Sequence, residues 1–261
     1  MSRAAMAWHD LAEGASGSWM WTALALQDIR LRYRGSVLGP WWLTPTTLVM
    51  ELTMGVIYAH LLNINIDAYL PYLAIGLVIW QFISGMVTDG CETFLRAEAI
   101  IRQVPIPFSI HAYRTVFRNV IVLAHNFVIP LAFITIQMSI GWRVAEALAA
   151  VTALAVNGLW VSILLGMVSA RLRDVLPIVA SCLQVGFFLT PIFWPIEALG
   201  GWAKIAALNP LFAAVDIVRA PLLEISAEAT SWPIVLVSTI FGWTITYWPF
   251  AQFRTRIAYW I

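Results

Sequence analysis

Glu92 with Arg96, and Glu98 with Arg102, recur at i,i+4 spacing in the stretch GCETFLRAEAIIRQVPIPFS. On a helix each pair stands one turn apart with the acid N-terminal to the base, the favourable order, and Pro105 with Pro107 stop such a helix. That chemistry is ionic recognition rather than bond breaking. The segment reads as a docking element for a partner or as a solvated linker, and the residues alone suit both.

Residues that could make or break bonds are poorly placed. The four histidines (His9, His60, His111, His125) are dispersed, and no H-E-x-x-H is present, so no metal site is proposed. Ser84 lies in FISG, without the glycine two places earlier that a nucleophile turn or a six-span intramembrane protease would show. No G-x-x-x-x-G-K-[ST] occurs, so ATP binding of the P-loop kind is not expected of this chain. Cys91 and Cys182 fall in different segments without a CxxC and read as small packing residues.

The elements that carry these residues follow from composition. Of 261 residues, 61% are hydrophobic and 11% charged, where soluble domains carry about 25% charge. The apolar residues come in runs of about 20, enough for a helix to cross a hydrocarbon core of about 30 Å. Lipid offers no partner to exposed amides, so the expected class is an all-α integral membrane protein. Six spans are predicted, at 41–62, 69–90, 114–139, 145–169, 176–195 and 231–251. With six spans, 12 of the 15 Arg and Lys residues fall in the two tails and the second and fourth loops; Arg143, Lys204 and Arg219 fall opposite. The positive-inside rule then puts both termini in the cytoplasm. The net charge of +1 points to no nucleic acid. The first 18 residues hold Asp10 and Glu13 and no continuous apolar stretch, so they do not read as a cleavable signal.

DIRLRYRGSVLGPWW, Asp28 to Trp42, alternates charged and apolar residues like a strand, but a lone strand at a membrane would leave its edges unpaired. As a helix it joins Thr22, Leu26, Ile29 and Tyr33 in one apolar stripe and sets Asp28 one turn from Arg32, close enough to pair. Arg30, Arg32 and Arg34 would snorkel toward phosphates, with Trp19 and Trp21 at headgroup depth. The plainer reading is a topology anchor that turns into the membrane at Gly39-Pro40.

Between the last two spans, two apolar pieces around 198–208 and 211–223 are broken by Asn209-Pro210 and are too short to cross. They read as re-entrant or interfacial helices on the outer side, or as a surface loop with an amphipathic helix. Glu51 sits near the middle of the first span, where a charge costs about 2.5–3.5 kcal/mol. His125 and Asn126 in the third read as interhelical hydrogen-bonding groups. Fourteen tryptophans are more than headgroup belts alone require. Trp41, Trp42, Tyr58 and Trp80 could line a sugar path, or simply belong to interfacial belts.

DIRLRYRGSVLGPWWLTP, YLPYLAIGLVIWQFIS, the stretch from GCETFLRAEAIIRQVPIPFS to IVLAHN, ARLRDV, TPIFWP and LNPLFAAVDIVRAPLL together resemble the permease subunit of O-antigen and related cell-surface polysaccharide ABC exporters, in order from about residue 20 onward. The resemblance implies a homodimer of six-span subunits in the bacterial inner membrane, working with two separate subunits that bind ATP and Mg; no cofactor is expected in this chain. It implies a segment 1–39 with the interface helix and a type-2 ABC transmembrane domain over 40–261. Glu92 to Arg102 is similar to the family's coupling helix, with Arg171, Arg173 and Asp174 as a second contact to the ATPase. Pro191, Trp194, Pro195, Asn209, Pro210 and Arg219 correspond to outer gate elements, and the first and fifth spans to the channel lining. Glu51 lies outside this pattern. The substrate implied is a lipid-linked polysaccharide. A type-2 exporter of a small lipid or drug, or an intramembrane enzyme acting on lipid-linked sugars, are the alternatives.

Overall fold

The computed structural model describes residues 2–32, 34–35, 43–137 and 141–261, and every regular element among them is helical. The order is α1 (Arg3–Ser16), α2 (Ser18–Arg32), α3 (Leu43–Leu62), α4 (Ile66–Cys91), α5 (Glu98–Gln103), α6 (Ser109–Asn126), α7 (Val128–Gln137), α8 (Val144–Arg171) and α9 (Val175–Leu189). A 3₁₀ turn over Ile196–Trp202 leads to α10 (Ala203–Ala206), α11 (Pro210–Leu222), α12 (Ser231–Phe253) and α13 (Ile257–Trp260). Tyr33, Gly39, Pro40, Trp41 and Trp42 lie outside the described residues.

Five stretches are long and apolar enough to cross a bilayer: Pro45–Leu62, Ile66–Cys91, Ser109–Ile136, Val144–Arg171 and Ser231–Trp260. They coincide with five of the six expected spans. The other, expected over 176–195, is helical only through the 15 residues of α9, about 22 Å of rise against a core of about 30 Å. Pro191 disfavours helical geometry in the residue before it, and Thr190 is extended (φ −102°, ψ 132°). The third stretch is interrupted for a related reason. Pro130 has no N–H for the Asn126 carbonyl, and α6 gives way to α7 across Phe127.

α4 is the axis of the bundle. Its Ile75, Val78, Ile79, Phe82 and Ile83 share a buried core with Val116, Leu154 and Val215 from α6, α8 and α11. α11 begins where the sequence placed a break: Asn209 caps it, accepting from the Leu211 amide at 2.9 Å, and Pro210 occupies the first turn. It is otherwise almost wholly buried. α3 and α9 each leave a wide apolar face uncovered, with Val56 and Leu61 on one and Ile178 and Phe188 on the other. At the end of the bundle where α4 stops and α6 starts, α1 packs on α6 and α12, and α2 packs on α6.

Candidate functional site

The charged end of the bundle is tied together by an ionic lattice. Arg114 and Arg118 stand one turn apart on α6 and both reach Asp28 of α2: Arg114 Nε donates to Oδ2 at 2.7 Å and Arg118 Nη1 at 2.9 Å, and Arg114 Nη2 donates to Oδ1. Arg118 Nη2 also lies 3.0 Å from Oδ2 of Asp89, in the last turn of α4. Asn119 Nδ2 donates to the same Asp89 oxygen at 3.0 Å, and Arg96 Nη1 pairs with Oδ1 at 3.2 Å. Arg96 closes the chain on Glu92. Burial alone would raise the Asp28 carboxyl, but the hydrogen bonds and charge of Arg114, joined by those of Arg118, outweigh it and hold the group below the usual carboxylate range.

This lattice corrects one expectation. Asp28 does not pair with Arg32 on its own helix, because its carboxylate faces α6, where two guanidiniums offer better-buried partners; Arg32 instead comes within 4.0 Å of Asp89. The buried face of α2 is Ala25 and Ile29 with Trp21, whose ring packs on Tyr113 and edge-on to Phe117. Leu26, expected on the apolar stripe, is exposed, as are Trp19, Arg30 and Arg34. Arg114 and Arg118 entered the sequence reading only as topology charges, and Asp89 not at all. Their signal was present: two arginines at i,i+4 inside an apolar span share a face and need a buried acid opposite.

The predicted docking helix is shorter than Glu92 to Arg102. Residues 92–97 form successive turns and only Glu98–Gln103 is α-helical. Phe94 is the cause. It is fully buried against Phe108 and the Gly166 backbone, so the chain must dive inward there before α5 can start. Both expected ion pairs nonetheless form, Glu92 with Arg96 and Glu98 with Arg102 at 2.9 Å. Arg102 Nη2 also donates to the Ile261 main-chain oxygen at 2.5 Å, and α13 packs against both α5 and the end of α8. There Arg171 stacks over the Trp260 ring at 5.8 Å, with Arg173 and Asp174 exposed beside it. The two predicted contact regions thus meet on either side of α13.

α6 has no capping side chain of its own, so its first amides need an acceptor from elsewhere. Asp10 of α1 supplies it, accepting from the Phe108 and Ser109 amides at 3.2 and 3.0 Å and pairing with Arg254 at 3.2 Å. The Ser109 hydroxyl donates back to the Asp10 carbonyl at 2.6 Å. Gly14, one turn further along α1, lies so close that an added Cβ would sit 2.1 Å from Ser109 Oγ.

At the opposite end a second cluster gathers the predicted gate residues. After α9 the non-helical chain from Pro191 to Pro195, bent through Ile192 to Trp194, lies along α4: Tyr69 donates to the Phe193 carbonyl and Tyr72 to that of Trp194 at 3.1 Å. Arg219 of α11, 3% exposed, donates from Nη1 to the carbonyls of Pro191 at 3.1 Å and Ile192 at 3.4 Å. Its guanidinium lies 4.0 Å from the Tyr72 ring centroid. Asn209 Nδ2 donates to Thr190 Oγ1 at 3.2 Å, returning the start of α11 to the point where α9 ended. Gly76 makes room for this: a Cβ there would meet the Ile192 carbonyl at 3.1 Å and Arg219 at 3.3 Å.

Of the predicted path residues, Tyr58 packs on Phe193 and the buried Trp80 on Phe187, with ring centroids 5.1 and 5.6 Å apart. Phe187 touches Phe193 as well, so the two belong to one aromatic group between α3, α4 and α9. Beside it lies a groove of 360 Å³ bordered by Met50, Gln81 and Gln184. Trp41 and Trp42 fall outside the described residues. Glu51 is fully buried, on an α3 stripe with Thr47 and Ala59, and neither carboxylate oxygen meets a hydrogen-bond partner among the described residues. Asn126 donates to Gln81 at 3.0 Å, the interhelical bond expected of it, and His125 Nδ1 lies 2.9 Å from the Ile121 carbonyl of its own helix.

The geometry defines a multi-pass helical membrane protein with an ionic lattice at one end and an aromatic clasp at the other. A family model described as ABC-2 type transporter matches residues 21–223, and the chain belongs to that family. The chain is 23% identical over 210 residues to the O-antigen export system permease protein RfbA of Myxococcus xanthus, covering 77% of this chain and 79% of the relative. It is 22% and 23% identical to two proteins of the same description from Klebsiella pneumoniae, each match covering 71% of this chain and 73% of the relative. A permease of an ABC export system implies an ATP-binding partner.

Proposed function

We propose that the protein is the permease subunit of an ABC exporter that moves a lipid-linked polysaccharide, O-antigen or a related glycan such as capsule, outward across the bacterial inner membrane. Two copies form the pathway, and two separate subunits bind ATP and Mg. In this reading α9 with the non-helical 190–195 segment makes the sixth crossing, both termini are cytoplasmic, α2 lies along the inner membrane surface, and the Ile196–Trp202 turn, α10 and α11 form the outer re-entrant gate. The uncovered faces of α3 and α9 then meet lipid, the second copy, or the polymer. The relatives' descriptions support the substrate; the match over most of both chains supports the class.

The observation that carries the mechanism is the convergence on Asp89. Arg96 reaches it from the docking turn, Arg118 from α6, and Arg118 also holds Asp28 of α2, the helix that precedes α3. Closure of the ATPase subunits against α5 displaces the 92–97 turn. The lattice passes that displacement to α2, and through it to the first channel-lining span. At the outer end, release of the Arg219 clasp frees the 191–195 segment. A polymer must slide, so the aromatic wall around Trp80 and Phe187 offers contact without strong hydrogen bonding.

Arg102→Glu tests the docking assignment. It places an acid beside Glu98 and against the Ile261 carbonyl, so export and substrate-stimulated ATP hydrolysis should both be lost while the dimer stays folded. Unchanged export with normal ATPase stimulation would refute the assignment.

A further inference from the structure

The flank formed by α8 and α12 carries a groove of 350 Å³ at the charged end of the bundle. Leu164, Met167 and Val168 of α8 form one wall, and Pro249 and Phe253 of α12 the other. Both helices are long and apolar enough to span a bilayer, so this throat opens where hydrocarbon is the surrounding medium. Its end has a different chemistry. Arg171 closes α8 there with its guanidinium 5.8 Å from the Trp260 ring centroid, and that of Arg256 lies 5.7 Å from the Phe253 centroid. The two rings are themselves neighbours, 5.9 Å apart, so two exposed guanidiniums are gathered at one lip. Among the described residues neither forms an ion pair, whereas Arg96, Arg102, Arg114, Arg118 and Arg254 at the same end all do.

We infer that this groove binds one anionic phospholipid, its acyl chain lying between α8 and α12 and its headgroup phosphate held by Arg171 and Arg256. A guanidinium that rests by its face on a ring keeps its N–H edge free, and that planar fork matches the oxygens of a phosphate. An apolar throat that ends in cations is complementary to a molecule in which hydrocarbon and anion are covalently joined, at the depth where headgroups begin. The occupant is a resident membrane lipid rather than the exported one: α12 packs on α8, α11 and α1, whereas the path is read along α3 and α9. Only the two spans are needed for this site, whichever way the chain faces and whatever docks at α5. A lipid held there also ties α8 to α13, since Trp260 belongs to that short helix and the adjoining Ile261 accepts from Arg102. Arg171 then serves the lipid, which leaves the exposed Arg173 and Asp174 to a protein partner.

The test uses phosphatidylglycerol and phosphatidylcholine, each with a diazirine in one acyl chain, in membranes that hold the full permease with its cognate ATP-binding subunit. After irradiation, adducts are mapped by mass spectrometry. The expected result is labelling of 164–172 and 249–260 by phosphatidylglycerol several-fold above that by phosphatidylcholine. In Arg171→Gln with Arg256→Gln the phosphatidylglycerol adducts should fall about tenfold or more, the scale of two arginines facing an anionic lipid. Arg173→Gln, which removes a neighbouring charge outside the groove, should change them little. Arg171→Lys with Arg256→Lys keeps the charge without the fork and should fall between native and glutamine variants; it carries the test if the glutamine variant elutes abnormally. Equal labelling by the two lipids, or native labelling in both double variants, would mean ordinary contact with bulk lipid and overturn the inference. Preferential labelling by a polyprenyl diphosphate bearing the same diazirine would give the groove to the substrate, and an absence of lipid adducts there would refute it outright. All of these outcomes leave the α5 docking assignment standing.

Discussion

Arg118 Nη1 donates to Asp28 Oδ2 at 2.9 Å, joining α6 to α2, while its other terminal nitrogen reaches Asp89 of α4. One side chain, 6% exposed, therefore stands between two carboxylates from different helices. Its removal leaves both acids buried with less compensation, the situation that costs about 3–5 kcal/mol. Arg118→Met should lower the thermal midpoint of the detergent-purified protein by several degrees. Adding Asp89→Asn should recover part of the loss, because Asp28 keeps Arg114 and Arg96 keeps Glu92. A single variant as stable as the native protein would mean that the lattice does not hold these helices together.

The Asp28 contacts carry a pH signature. Its folded carboxyl titrates below the ordinary value of 3.8, so folding binds fewer protons here than the unfolded chain does. The stabilisation is fully present above that ordinary value and is lost as pH falls through the folded one. A spin label on the exposed face of α2, followed in nanodiscs, should keep its immobilised spectrum from neutral pH down to the ordinary carboxylate range. It should loosen only below that. In Asp28→Asn the label should be mobile across the whole range. Release of α2 in the native protein near pH 6 would contradict the sign.

Asp10 caps a helix that is 98 residues away in sequence, accepting from Phe108. Loss of a capping carboxylate costs about 0.5–2 kcal/mol, and here Arg254 would lose its partner as well. Asp10→Ala should expose the α1 segment to trypsin at Arg3 and destabilise the protein by about that much. Gly14→Ala should do the same by a steric route, since its Cβ would overlap Ser109 Oγ. Ser109→Ala in that background should restore part of the protection, whereas it should not rescue Asp10→Ala.

Sequence alone made five of the spans and the local ion pairs legible because both are short-range signals: apolar runs of about 20 residues for the former, i,i+4 spacing for the latter. Glu98 with Arg102 therefore came out as expected. What it could not show was partner choice across the bundle. Asp28 had a local arginine at Arg32 in reach, yet α6 brought two better-buried ones. The coupling segment read as one helix because its charges have helical spacing, but Phe94 needed a core site and broke it. The residues around Pro191 to Pro195 were singled out through the resemblance alone, while Tyr69 and Tyr72, which donate to that segment, were hidden inside an apolar run.

Arg219 supplies the last test, because the charge it brings into the protein faces carbonyls and a ring rather than a salt-bridge partner on the 191–195 segment. A guanidinium can donate to the Pro191 and Ile192 carbonyls from one edge while its face rests on Tyr72; an ammonium has no such face. Arg219→Lys should therefore keep the charge and lose the clasp. If the segment is the outer gate, loosening it leaves the distant docking end intact, and the ATP-binding subunit should still co-purify at the native ratio. ATP hydrolysis should persist while polymer reaching the cell surface falls by about tenfold or more, which corresponds to about 1.4 kcal/mol in the governing step. Tyr72→Phe, which removes the hydroxyl's bonds to the Trp194 and Pro191 carbonyls and keeps the ring, should give a smaller defect of the same kind. Loss of ATPase association in Arg219→Lys would instead mean that the clasp supports the whole fold, and native export in both variants would remove the 191–195 segment from the gate.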